Sequence, residues 1–191
     1  MVWIWDMPRE NDEWGADFEG FDPDSTIRGL VNYTDSPVEP ETRAIFKSRT
    51  GLHKFKKLHA PPTSIYNTVD KVWRDVILNF VPADHIQFLP TRLIAKNQIC
   101  EDFMLMLPFD RIMAIDKSRS DLKSFVENDH GTFIFGLRKL VLHPNCLGSF
   151  HLAKDKQMES LLLVSDELKE ALSATGQDSV FYHPQDAPIA R

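Results

Sequence analysis

The stretch that most constrains the fold runs from Glu159 to Pro184, ESLLLVSDELKEALSATGQDSVFYHP. Leu161, Leu162, Leu163 and Val164 form an apolar run too short for a helix, which predicts a buried strand. Ser165 follows, then Asp166 and Glu167. A serine at this point can accept hydrogen bonds from the first free N–H groups of a helix, and two acids in the first turn suit the positive end of its dipole. Leu168, Ala171 and Leu172 fall at i, i+3 and i+4, so they share one helical face. Gly176 permits the left-handed backbone that ends a helix. Val180, Phe181 and Tyr182 predict a second strand, stopped by Pro184. This is a strand–helix–strand module with a defined start and stop.

Upstream, Ile65, Val69, Val72, Trp73, Val76, Ile77 and Phe80 recur at three- and four-residue spacing. They predict an amphipathic helix of about four turns, capped by Thr63 or Ser64 and ended before Pro82. Three strands are expected next: Ile86–Ala95, with Pro90 marking an edge or a bulge; Phe103–Ile115, interrupted by Pro108; and Phe133–Leu142. The polar stretch Asp116–Gly131 is read as a loop with a short helix around Leu122–Val126, and Phe150–Ala153 as a short strand. Trp3–Trp5 is a candidate first strand, and Pro8–Pro40 a long loop region with room for short strands. The fold class is therefore α+β: a mainly antiparallel sheet with two main helices packed on it. Residues 1–57 are read as an N-terminal strand and arm of the same domain, and residues 58–191 as the α+β core.

Charge is unevenly placed. Residues 1–26 hold eight acids against one base, and residues 43–57 hold Arg43, Lys47, Arg49, Lys54, Lys56 and Lys57 with no acid. The whole chain carries a formal charge of −6, which argues against nucleic acid or an anionic membrane as its main partner, because phosphate binding needs a basic face. Cys100 and Cys146 are too few for a disulfide framework, and there is neither a basic leader nor an apolar run near the roughly 20 residues a membrane helix needs. A cytoplasmic protein with reduced thiols is expected.

Catalytic signatures are missing. The seven histidines form no HExxH and the cysteines no CxxC, so neither a metal nor a cofactor is expected. Cys146 or Cys100 with His143 could make a nucleophile pair, but a small buried thiol in a strand or turn is the better reading of either cysteine. Asp116, Ser118, Ser120 and Asp121 fit a capped turn better than a calcium loop, which needs a glycine they lack. The basic 43–57 run fits a neutralising partner for the acidic arm better than a phosphate site. In the arm itself, Asp12, Glu13, Asp17 and Glu19 surround Trp14, an aromatic anchor among carboxylates, which suits contact with a basic protein.

Taken in order, SIYNTVDKVW, HIQFLPTRLI, FMLMLPFDRIMAIDKSRSD, FGLRKLVLHP, GSFHLA and LLLVSDELKEAL, closing on Gly176 and VFYHP, resemble a family of small bacterial immunity proteins from polymorphic-toxin systems, the myxobacterial-type immunity domain. The resemblance covers about Leu58 to Pro184. GSFHLA departs from the family's "F-R" pair by carrying His151, which puts the role of that arginine in doubt. The resemblance implies a non-enzymatic antidote that binds a cognate toxin, and such toxins are frequently nucleases. It carries no binding motif, so Asp12, Glu13, Trp14, Asp17 and Glu19 are partner-binding candidates on charge alone. The competing reading is a small cytoplasmic enzyme built on Asp116, Cys146 or the histidines.

Overall fold

A computed structural model describes residues 1–5, 15–21, 36–39, 42–63, 67–129, 131–177 and 180–185. The strands of the first half are β1 (Val2–Trp5), β2 (Asp17–Phe21), β3 (Ala44–Ser48), β4 (Thr68–Asp70), β5 (Ile86–Ala95), β6 (Gln98–Cys100) and β7 (Phe103–Pro108). They are followed by β8 (Arg111–Ile112), β9 (Asp121–Asn128), β10 (Gly131–Lys139), β11 (Leu152–Asp155), β12 (Leu162–Ser165) and β13 (Phe181–Tyr182). Three helices, α1 (Leu52–Phe55), α2 (Lys71–Leu78) and α3 (Asp166–Ser173), complete the described elements. They fall into two compact units, one of Met1–Asp6, Asp110–Ala174 and Asp178–Arg191, the other of Met7–Phe109 with Thr175–Gln177.

In the first unit the sheet order is β13-β1-β12-β11-β8. All four residues of β12 are buried, which is why its sequence reads as an unbroken apolar run rather than an alternation. β1 pairs antiparallel with β12 on one side and β13 on the other, so both ends of the described chain are sewn into one sheet. Trp5 is buried with its ring edge-on to Phe181, centroids 5.3 Å apart. The capping expected for α3 is present: the Ser165 hydroxyl accepts from the Leu168 N–H at 3.2 Å, and Leu168 and Leu172 are buried. Gly176 adopts φ +106°, a backbone that L side chains rarely take. Asp155, fully buried, uses one carboxylate oxygen for the N–H groups of Ala114 (2.8 Å) and Ile115 (3.1 Å) and the other for those of Gln157 (2.7 Å) and Met158 (2.8 Å). One side chain thus stands in for four missing ladder bonds.

In the second unit the order is β2-β3-β5-β7-β4, with β6 folding back on β5. Its core gathers Phe46, Phe55, Leu89, Leu93, Phe103 and Leu105. Pro90 sits neither at an edge nor in a bulge. β5 pairs with β7 through Ile86–Pro90 and with β3 through Thr91–Ala95, so the proline, which has no N–H to give, marks the handover between ladders.

Three further expectations need correcting. The sheets are mixed, since β3 runs parallel to β5 and β8 parallel to β11, and strands dominate the helices. The long amphipathic helix is also short. Thr68–Asp70 pairs with β7 instead, and α2 begins only at Lys71, because the Asp70 carboxylate accepts from the Trp73 N–H at 3.0 Å and caps the helix there. Trp73 and Ile77 are its buried face. The short helix expected near Leu122–Val126 is the strand β9.

Candidate protein-binding surfaces

Asp17 and Glu19 occupy β2, the outer strand of its sheet, and both are exposed while Phe18 turns inward against Phe46 at a centroid distance of 5.5 Å. The two-residue period of a strand dictates this split. Glu19 is compensated by Lys47, its carboxylate 2.9 Å from the ammonium group, and the same lysine lies opposite Asp17 in the ladder. Arg43 pairs with Glu101 and Lys56 with Asp102 in the same way. The basic run therefore neutralises acids of its own chain, in part those of the arm. Asp12, Glu13 and Trp14 lie outside the described residues.

A second surface was not legible in the sequence. β9 and β10 form a two-stranded ribbon of their own. Ile134 and Leu137 of β10 are buried, and the Ile134 N–H donates to the Gln157 carbonyl at 2.6 Å, so β10 is the anchored strand. On β9 every residue but Leu122 is exposed. Phe125 is 49% exposed, Val126 50%, Phe133 37% and Phe135 65%, which makes this the largest grouping of exposed aromatics among the described residues. The register shifts between Ile134 and Gly136, leaving Phe135 without an opposite residue and turned to solvent. Its only sequence signal was FVEN facing TFIF, which periodicity alone does not distinguish from a helix.

The clusters that could carry chemistry are structural. The Asp116 carboxylate accepts from the Ser118 N–H (3.0 Å) and hydroxyl (2.6 Å), closing a turn; that hydroxyl holds its carboxyl below the usual range. His143 lies 3.9 Å away. Burial pushes the Cys146 and Cys100 thiols up, away from the thiolate a nucleophile needs. His59 has the outline of a catalytic dyad, with Nδ1 2.7 Å from Asp70 Oδ2, but its Nε2 meets the Thr175 carbonyl at 3.3 Å. A carbonyl has no proton to lose, so this imidazole has no nucleophile to activate. At His151 the Ser165 hydroxyl (2.8 Å) and Glu167 (4.0 Å) approach the same ring nitrogen, and that hydroxyl is the one that caps α3 through the Leu168 N–H. The cavity lined by Phe46, Phe55, Thr68, Leu93 and Phe103 measures about 10 Å³, against the several hundred a small-molecule site requires. Among the described residues no three His, Cys, Asp or Glu side chains converge as a metal set, and no helix is long and apolar enough to cross a membrane.

Among the described residues, the exposed strands β2 and β9 offer surfaces for another protein. No curated protein matches the chain. Residues 72–186 match the model of an immunity protein family (Imm11).

Proposed function

The chain belongs to the Imm11 immunity protein family, and on that premise we propose that it is a non-enzymatic antidote, acting in the cytoplasm by binding a cognate antibacterial toxin directly and holding it inactive. The family membership carries the reading. The polar clusters support it, since among the described residues those at Asp116, His59 and Asp155 are taken up by backbone and capping contacts.

The partner we favour is a nuclease. Such an enzyme grips phosphate with a basic cleft, and clustered carboxylates can fill that cleft and speed encounter. Asp17 and Glu19 support this by pointing to solvent from an outer strand, with Asp12, Glu13 and Trp14 completing the contact. Because Lys47 compensates Glu19, Asp17 is the stronger contributor of the two.

The test is a search of the neighbouring genes for a toxin, followed by measurement of binding to it and protection from it. Changing the four acids to Asn or Gln should slow association several-fold at low salt, and added salt should shrink the difference. Trp14→Ala should speed dissociation instead. Absence of binding and of protection would sink the immunity reading. Full affinity in both variants, with the fold intact, would remove only the acidic arm from the interface.

A further inference from the structure

We infer that β9 is a self-association edge, at which two copies of this chain pair antiparallel about Phe125. The inference goes beyond toxin binding and does not depend on it.

The ribbon is under-supported as it stands. A two-stranded sheet is marginal in water, and stable ones gain a third strand or a covering layer. β10 has such support through Ile134, Leu137 and the Gln157 carbonyl. β9 has β10 on one side and, among the described residues, no strand on the other. Its outer edge therefore presents unpaired N–H and C=O groups beside exposed apolar side chains, a template for another strand.

Symmetry narrows the occupant. When two copies of one strand pair antiparallel about a two-fold axis, the axis passes through a residue facing its own copy, because opposite residues must point to the same face. An axis at Asp121, Leu122 or Asn128 pairs at most three residues at one end of β9, even though Leu122 would set Asp121 against Lys123, so only the more central positions can build a ladder. An axis at Lys123 or Glu127 sets a charge against itself. One at Ser124 sets Lys123 against Phe125 and Asp121 against Glu127. One at Val126 sets Phe125 against Glu127. An axis at Phe125 stacks Phe125 on Phe125, places Ser124 beside Val126, and brings Lys123, the extra residue of β9 where its register with β10 slips, across from Glu127 twice, its long side chain spanning the irregularity.

Charge complementarity thus selects a second copy in one register. A lone lysine on an edge strand commonly blocks pairing; here the strand carries the matching acid at the symmetric position. Lys123 and Glu127 are both exposed. Glu127 receives a 3.2 Å hydrogen bond from Thr132 across the ribbon and has Lys117, in the turn before β9, at 3.8 Å, yet it stays 64% exposed and open to a second cation. Asp121, toward the end of the register, is already compensated by Arg138 at 3.5 Å. The product is a four-stranded sheet with Phe125 covered at its centre.

Sedimentation of the full chain over a wide concentration range decides the matter. The wild type should form a dimer. Lys123→Glu and Glu127→Lys should each weaken it by about tenfold or more, since each sets like charges opposite one another on both sides of the axis. Mixing the two single variants should restore a heterodimer, because every 123–127 pair is then opposite in charge, and misfolded proteins could not produce that recovery. A wild type that stays monomeric at every concentration overturns the inference, and so does a dimer indifferent to both substitutions. A monomer whose Phe125→Thr variant loses the toxin also overturns it, assigning the edge to the toxin instead.

Discussion

Replacing Asp155 by Asn tests the idea that one buried carboxylate organises the first unit. The side chain is fully buried and accepts four backbone N–H bonds, two on each oxygen. Asn keeps the shape, but its NH₂ group cannot accept. Either Ala114 and Ile115 or Gln157 and Met158 then lose their acceptor and face a donor. An orphaned buried donor costs about 1–3 kcal/mol, so two cost roughly 3–4 kcal/mol once partial relaxation is allowed. Opposing this is the desolvation penalty that the neutral amide no longer bears. We expect the hydrogen-bond loss to win, because the carboxylate has a full set of donors in place. With a urea dependence of about 2 kcal/mol per molar, the midpoint should fall by roughly 1.5 M. The assay is urea unfolding followed by tryptophan fluorescence in a background with Trp14 and Trp73 replaced by Phe, which leaves Trp3 and Trp5, both on β1 in the same unit, as reporters. Asp155→Ala should cost more, since all four N–H groups lose their partner. A variant Asn protein within about 0.5 kcal/mol of the wild type, or one more stable, would refute the reasoning and show that desolvation dominates.

Two further outcomes are expected. The Asp166 carboxyl is held below its ordinary range chiefly by the 2.7 Å hydrogen bond from the Trp3 indole; a backbone hydrogen bond lowers Glu167, and the Ser118 hydroxyl lowers Asp116. A depressed folded value contributes stability above the unfolded value of about 4 that is lost as pH falls toward the folded one; thermal melting should therefore drop with acid over that window, and Trp3→Phe should flatten the drop. In the second unit, Trp73 is fully buried, stacks on His59 at 6.0 Å and donates to the Thr175 hydroxyl at 2.7 Å. Trp73→Phe should cost about 1 kcal/mol for the lost bond plus a packing increment, whereas Trp73→Ala should cost about 3–5 kcal/mol in denaturant unfolding.

The sequence by itself determined the local units whose causes are local. The module from Leu161 to Tyr182 could be read because each of its signals acts within a few residues: an apolar run, a serine cap, a periodic face, a glycine stop. β5 could be read in full from Ile86 to Ala95 for the same reason. Membership of an immunity family was legible as an ordered series of weak motifs, each fixed by such a unit. Only the tertiary structure decided what each unit pairs with. Thr68–Asp70 abandoned a good helical period because β7 offered it a ladder, and Pro90 was tolerated because β5 changes partners there. Burial of Asp155 depended on four N–H groups from two distant segments, which no spacing announces. The exposed ribbon was invisible for a related reason. FVEN and TFIF put apolar residues on both strands, and nothing in their order records that β10 is anchored while β9, among the described residues, has no strand on its outer side.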